Sequence, residues 1–433
     1  MRVFKGWDRI ITGRFIQLLI IIFSLSWCHP VLANYQGKPL TLPEAESFAI
    51  NTSPELQRFK ANSRSLQQQA VADGQLTDPQ LVAGAINVPT NTFSFSQDEM
   101  TMKQIGIQQL FARGHSLKMK LRQSQALAFG EKRKAQEMSL TLVRNVREAW
   151  LELYYWTEAL RVLYSNQSLY KNLLKVTQTQ YQNGKITQSE VLQVQLEVSK
   201  LNDQAIQIQQ QISVLRAQLD RWVGVEQSKR PLALSLPRWS APPKLELLKT
   251  RLQHHPLLQI DAANIEASHH EVAYAKEQYK PGWLLGVGYG FRQGDMATGI
   301  PRSDMLTAQL TMDLPFFTAN RQDRQVKAGY DRLQATKLEQ QIHYRDLLQV
   351  LNTQYAIWNQ LLAREKVYEQ QLIPTAKQSA KTSLLAYQNA TGELTTVLRA
   401  YSSELNIRLE RIQLKVERAK SRAILLYLEG VAA

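Results

Sequence analysis

Apolar residues recur at alternating spacings of three and four in two stretches of the chain. The first seam consists of Leu142, Val146, Ala149, Leu153, Trp156, Leu160 and Leu163. The second consists of Val191, Val194, Val198, Leu201, Ala205, Ile208, Ile212, Leu215, Leu219 and Trp222. An apolar period of about 3.5 residues is typical of a coiled-coil seam that packs on a facing helix. No proline interrupts Thr90 to Arg230, so the pattern predicts long helices over about 116–181 and 185–224.

The sequence of one polar turn occurs twice in the chain in nearly the same form. "YQNGKITQSEVL" begins at Tyr181 and "YQNATGELTTVL" at Tyr387, an offset of 206. "SPELQ" at Ser53 is matched by "HPLLQ" at His255, an offset of 202. A displacement this steady predicts an internal duplication with small insertions in loops. The second half is therefore predicted to repeat the long helices, over about 321–386 and 393–429.

Each half also contains segments in which apolar and polar side chains alternate with a period of two. The clearest lie at 283–291 and 305–314, and weaker equivalents lie at 81–88 and 102–111. Such alternation predicts strands with one face toward lipid and one toward a watery lumen. The predicted lipid-facing residues are Trp283, Leu285, Val287, Tyr289, Phe291, Leu306, Leu310 and Met312. Four strands cannot enclose a channel, because even eight barely leave room for side chains. More than one chain must contribute.

The first 33 residues are predicted to be a secretory signal. They combine a basic start, the apolar core "FIQLLIIIFSLSW" and a small residue, Ala33, at the expected cleavage site. A lipoprotein interpretation would use Cys28, but the bulky Trp27 precedes it. Cys28 is the only cysteine, so the mature chain has neither disulfides nor thiolate metal sites. We divide the rest into a first repeat (34–227), a proline-containing linker (228–244) and a second repeat (245–433).

Composition and charge exclude several classes of function. The formal net charge is +15, but the basic residues are scattered among Gln and Glu, without the aromatic-basic interleaving expected of a nucleic-acid surface. No nucleophile elbow, zinc-protease motif or phosphate-binding glycine loop is present. We therefore predict no catalytic residues, no cofactor and no enzymatic activity.

Two histidine pairs, His254-His255 and His269-His270, raise the question of a metal site. His255 precedes Pro256 as Ser53 precedes Pro54, which predicts a helix start rather than a ligand. No metal site is predicted. Pro374 lies within a predicted long helix and is expected to kink it.

The signal, the duplicated halves, the two strands per half and the two Tyr-initiated turns together resemble the TolC-type outer membrane efflux proteins. These are the exit ducts of tripartite pumps and type I secretion systems, and the resemblance covers essentially the whole mature chain. It implies a mainly α fold and a homotrimer, in which four strands per chain build a twelve-stranded membrane β-barrel on a hollow α-helical periplasmic cylinder. It also implies an outer-membrane location, with the helical part in the periplasm.

The resemblance implies partners as well: a periplasmic membrane-fusion adaptor, an inner-membrane pump and outer-membrane lipid. The stretch from Asn87 to Phe111 is similar to the heavy-metal and cation efflux branch (CzcC- and CusC-like), whose pumps are of the resistance-nodulation-division (RND) type. Drug efflux and type I secretion remain open as alternatives. So does a structural periplasmic coiled-coil protein, which would need no lipid-facing strands.

In the family, the helix turns form the closed end of the duct and meet the adaptor. Carried over to this chain, the docking residues are Tyr181, Gly184, Val191, Leu192, Tyr387, Gly392, Val397 and Leu398. The second turn has Ala390 where the first has Gly184, so we expect it to turn differently. For the gate, we hypothesise that Glu190 faces Arg399 of a neighbouring helix pair, which gives up to three ion pairs around the constriction.

Overall fold

The computed structural model describes residues 38–430, and the elements below lie in the unit that begins at Leu40. The predicted signal and Cys28 lie outside the described residues. The first half contains α1 (Leu42–Thr52), α2 (Pro54–Asp73), β1 (Gln80–Ile86), β2 (Met102–Phe111), α3 (Ser116–Gln182), α4 (Gln188–Val223) and the short α5 (Val225–Ser228). The second half contains α6 (Leu245–Leu252), α7 (Pro256–Glu277), β3 (Trp283–Arg292), β4 (Met305–Met312), α8 (Gln322–Val367), a π-helical segment (Tyr368–Leu372), α9 (Ile373–Gln388) and α10 (Leu394–Leu428).

The corresponding helices α2 and α7 begin in the same way. Ser53 caps α2 by accepting the N–H of Leu56 on its Oγ at 3.2 Å. His255 caps α7 by accepting the N–H of Leu257 on its Nδ1 at 3.3 Å. The buried His255 ring also lies 3.2 Å from the carbonyl oxygen of Tyr427. The position predicted as a helix boundary is therefore an N-cap, and burial lowers the pKa of His255.

The strands form one antiparallel sheet in the order β1-β2-β3-β4. Its central pair joins the two halves, with Gly106 of β2 opposite Gly288 of β3. Within residues 38–430, β1 and β4 each have a partner on one side only. β1 ends at Ile86 and β4 at Met312, each two residues before the end of its predicted range.

The long helices carry the core. α3 has 67 residues, which at about 1.5 Å per residue makes it roughly 100 Å long. All the seam residues except Val191 lie in two clusters along it. One cluster surrounds Trp150 and includes α1 and the end of α4; the other surrounds Tyr170 and includes the start of α4 and α10. In the first cluster the buried Arg147 binds Glu46 of α1, with Nε and Oε1 2.7 Å apart.

The second-half rod is continuous through Pro374, but its hydrogen bonding changes just before the proline. The π-helical segment occupies Tyr368–Leu372, and Pro374 lies in the first turn of α9. A proline lacks the N–H that a helix interior requires, and π turns are one known way for a helix to absorb such a defect. The structure thus shows a local change of helix type just before Pro374, and the kink itself stays a prediction.

The segment predicted as a linker packs against the rest of the chain. Leu232 is buried and pairs with Leu40 in an isolated parallel bridge. The guanidinium of Arg216 donates to the carbonyl oxygens of Ser228 and Arg230, at 2.6 and 2.9 Å. In the described part of the chain, no helix is both long enough and apolar enough to cross a membrane.

Candidate functional site

The sheet has one apolar face that extends over all of its strands. The register places Trp283 of β3 opposite Met312 of β4, and Val287 opposite both Ala308 of β4 and Ile107 of β2. All eight predicted lipid-facing residues are exposed. Sequence reasoning missed the first-half members of this face. They are Leu81, Ile105, Ile107 and Phe111, and the alternation in "MKQIGIQQLF" was the signal for them.

The opposite face is rich in uncharged polar groups and glycine. It carries Gln80, Gln104, Gln108, Thr307, Gln309, Thr311, Gly286, Gly288 and Gly290, together with the apolar Val82, Ile86, Met102, Leu110, Leu284 and Met305 and the charged Arg292. The amide of Gln108 donates to Gln80 Oε1 at 2.7 Å, across β1 and β2. A surface with hydrogen-bonding groups but few charges suits contact with water.

The apolar face has a length along the strand close to the height of a membrane's apolar band, although tilted membrane strands cover somewhat less height than their length. Trp283 and Phe291 lie at its two ends, eight residues apart on β3, which corresponds to about 26 Å along the strand. Outer-membrane strands present an apolar band about 25 Å tall, with aromatic residues at both borders. At the end beyond Phe291, Arg302 donates to the carbonyl oxygen of Asp98 at 2.9 Å, and so joins the two hairpin loops.

At the other end, polar contacts tie the strands to the helices. Arg113 pairs with Asp313 at 3.0 Å. Glu277 accepts the backbone N–H of His115 at 2.6 Å and pairs with Lys280 at 2.7 Å. The end of β4 and the end of α7 are thus fixed to the start of α3 by side chains from both halves.

The two polar turns have the same backbone conformation. Gly184 has φ +70° and Ala390 has φ +58°. The N–H of Lys185 donates to the carbonyl oxygen of Gln180, and the N–H of Thr391 to that of Ala386, both at 2.9 Å. This is the six-to-one hydrogen bond of a Schellman motif. The expectation that the second turn would differ is therefore wrong, because Ala390 adopts the left-handed conformation that a glycine supplies in the first.

Ala390→Gly is expected to stabilise the second turn, and Gly184→Ala to destabilise the first. A side chain in the left-handed region costs about 1 kcal/mol, and no atom lies within contact distance of a Cβ at Gly184. The added methyl group therefore meets no clash, and its effect on the folded turn is backbone strain. Amide hydrogen exchange of Thr391 should slow by about fivefold in the first variant, and exchange of Lys185 should speed up by a similar factor in the second. Shifts of the same sign at both turns would contradict this account.

The side chains of the two turns have different surroundings. Tyr387 is 5% exposed and donates from its hydroxyl to Glu190 Oε2 at 3.4 Å, whereas Tyr181 is 46% exposed. Burial, together with the charge of Glu190, raises the pKa of Tyr387 to about 12. The hydroxyl therefore keeps its proton at neutral pH and acts as a donor.

This difference divides the predicted docking residues into two groups. Tyr387, Val397 and Leu398 are buried. Val397 and Leu398 lie on α10, which packs against α3 and α9, and Tyr387 at the end of α9 belongs to the same core cluster. In this structure they hold the second turn and offer no surface to a partner. Tyr181, Gly184 and Leu192 are exposed, while Val191 and Gly392 are half-buried.

The two predicted gate residues do not meet within the chain. Glu190 contacts Tyr387 instead. Arg399 is exposed, and among the described residues it has no ion pair. The hypothesised pair between neighbouring helix pairs is therefore not formed within one chain, and between two copies of the chain it stays a prediction.

Two further histidines each lie beside a single carboxylate. His270 pairs with Glu266 at 3.1 Å, and His343 with the buried Asp261 at 2.9 Å. Within residues 38–430, no group of three or more His, Cys, Asp or Glu side chains could hold a metal ion.

Part of the chain matches a known protein family, and the fold is similar to known structures. Residues 247–430 match the family model described as outer membrane efflux protein. The fold is shared with the outer membrane protein VceC from Vibrio cholerae, at 17% identity and TM-score 0.75, over 90% of this chain and 96% of that one. It is shared with the outer-membrane channel OprN at 15% identity and TM-score 0.74 (90% and 89%), and with CusC at 14% and 0.73 (90% and 91%). No curated protein matches the chain. The predicted fold class, mainly α with a strand contribution, is confirmed.

Proposed function

We propose that this chain is the outer-membrane exit duct of a tripartite efflux system, because residues 247–430 match the model of the outer membrane efflux protein family. It conducts cargo passively from an inner-membrane pump and a periplasmic adaptor to the exterior, and it performs no chemical step. The sheet lies in the outer membrane, and the long helices extend into the periplasm.

The observation that carries this proposal is the two-faced sheet with unpaired edges. In a membrane, every backbone N–H and C=O must be hydrogen-bonded, yet β1 and β4 each lack a partner on one side within the described chain. Copies of the chain can pair β4 of one with β1 of the next. Such head-to-tail contacts close into a ring. Three copies give twelve strands, more than the eight that barely hold their own side chains.

The helices support the same closure. Away from the turns, α4 lies at one flank of the helical part and α8–α9 at the other, while near the turns Glu190 of α4 contacts Tyr387 of α9. The α4 flank exposes Leu192, Leu196, Ile206 and Val214; the α8–α9 flank exposes Leu338, Ile342, Ile357, Val367 and Leu385. Two apolar rows on opposite flanks suit contact between successive copies, and we propose that this contact builds the hollow helical cylinder of a homotrimer.

The turns carry the proposed contact with the adaptor. Tyr181, Gly184 and Leu192 form the exposed part of that surface, and two turns per chain give six around a trimer. For the cargo we propose heavy-metal or other cations and an RND-type pump. This rests on the resemblance of the stretch Asn87 to Phe111; drug efflux and type I secretion are the alternatives.

Conductance and oligomeric state test the proposal together. The protein extracted from outer membranes should migrate without heating as a trimer and collapse to a single chain on boiling. In planar bilayers it should form channels whose openings are short, because the turns close the duct. A monomer that forms no channel would instead favour a structural coiled-coil protein.

A further inference from the structure

An exposed apolar segment follows β4 directly. It runs from Leu314 through Pro315 to Phe316 and Phe317, and we call it the Phe316 segment. Phe317 is 93% exposed and Phe316 75%. Among the described residues, no large apolar side chain is more exposed than Phe317. Water is an unfavourable environment for such a surface, so a partner should cover it.

The segment continues the apolar face of the sheet. Met312, two residues before Leu314, pairs with Trp283, which in turn pairs with Phe111. These three residues form a row across β2, β3 and β4 at the end of the sheet nearest the helices. The Phe316 segment thus lies at the border of the proposed lipid-facing surface, on the side of the helical cylinder.

Basic side chains surround this border. Lys118, Arg122, Arg321, Arg324 and Lys327 are exposed, and in the described part of the chain none of them has an ion pair. We call them the basic collar. Residues 111–130 contain four Lys or Arg and no acid. Asp323, the one acid between Phe316 and Lys327, accepts the hydroxyl of Tyr279 at 2.5 Å.

The basic collar has one part at the start of α3 and one at the start of α8, and both helix starts contact the same backbone carbonyl. The carbonyl oxygen of Gln278 accepts Arg113 Nη1 at 3.1 Å and Gln322 Nε2 at 3.5 Å. Arg113 immediately precedes α3, and Gln322 is the first residue of α8. The N-terminal ends of α3 and α8 therefore lie at the same edge of the sheet.

We propose that the Phe316 segment and the basic collar bind anionic phospholipid headgroups in the leaflet that faces the helical cylinder. This rests on the proposed function, since it requires the sheet to lie in a membrane. Phenylalanine rings enter the border between headgroups and acyl chains, while Lys and Arg beside them attract anionic headgroups. Zwitterionic lipids can cover the aromatic side chains but bring no net negative charge to the basic collar.

Lipid retention tests the inference. The oligomer is reconstituted in vesicles of equal phosphatidylglycerol and phosphatidylethanolamine, extracted in mild detergent and analysed for bound lipid by mass spectrometry. The wild type should retain phosphatidylglycerol preferentially. In Arg321→Gln/Arg324→Gln this preference should fall by about fivefold for each base removed, the usual contribution of one base near an anionic surface.

Lys377→Gln/Lys381→Gln is the matched control, because it removes two exposed bases from α9, away from the sheet. Its lipid preference should equal that of the wild type. The inference is wrong if the wild type retains both lipids equally while still forming channels. A wild type that forms no channels contradicts the proposed function instead. Phe316→Ser/Phe317→Ser should lower total lipid retention; if it dissociates the oligomer at unchanged retention, a second copy covers the segment and the proposal fails.

Discussion

Val287→Arg is expected to lower the amount of oligomer in the outer membrane severalfold. Val287 lies midway between Trp283 and Phe291 on the apolar face and is 49% exposed. A positive charge at the bilayer midplane of a membrane strand costs about 2–4 kcal/mol, and every copy in a ring carries it. Immunoblots of unheated outer-membrane fractions measure the effect directly.

Gly286→Ser is the control for the opposite face. Gly286 immediately precedes Val287 on β3, so it lies on the opposite face. A Cβ at Gly286 would lie 3.6 Å from Gln108 Cβ, which is an ordinary contact. A hydroxyl facing the lumen should leave the amount of oligomer unchanged. If both variants reduce the oligomer equally, the assignment of the two faces is wrong.

The faces of the sheet could be predicted from sequence because strand phase is a local property. In "WLLGVGYGF" every second residue from Trp283 to Phe291 is large and apolar, and the pleat alone then places them on one side. The first-half strands gave a weaker signal, since Gln109 and Lys103 interrupt the apolar series. Their membership of the same face became clear only from the register with β3.

The properties of the turns could not be predicted in the same way. The sequences starting at Tyr181 and Tyr387 are nearly identical, yet one tyrosine is exposed and the other buried. The difference arises because Tyr387, at the end of α9, packs in the core cluster around Tyr170 and contacts Glu190 of α4, whereas Tyr181, at the end of α3, is not a member of that cluster. Burial of Tyr387 depends on residues far away in sequence, and no local pattern encodes it. The conformation of Ala390 likewise follows from the hydrogen bonds of the whole turn.

The contact between Glu190 and Tyr387 offers a second way to hold the duct closed. It joins the start of α4 to the end of α9 within one chain. The hypothesised pair of Glu190 with Arg399 would join neighbouring chains. Both contacts use the carboxylate of Glu190. Substitutions of Tyr387 and of Arg399 therefore distinguish them. If the latch lies within the chain, Tyr387→Phe opens the duct and changes at Arg399 have no effect.

The last prediction separates these two latches. Glu190→Arg and Arg399→Glu are each expected to raise the open fraction of single channels in planar bilayers, and the double reversal to restore the closed state. Partly exposed pairs contribute about 0.2–1 kcal/mol each, so losing three of them should raise the open fraction by about tenfold. An effect of this size is small enough for adaptor binding to overcome.

Glu197→Arg is the control, since Glu197 lies two turns further along α4 and pairs with Lys200 at 2.7 Å. It should leave gating unchanged. If the double reversal leaks as much as the sum of the single variants, Glu190 and Arg399 do not form the latch. Tyr387→Phe then decides whether the carboxylate acts within the chain. Because Tyr387 keeps its proton at neutral pH, this variant removes one hydrogen bond and no charge, so a rise in open fraction would assign the latch to Tyr387 and Glu190.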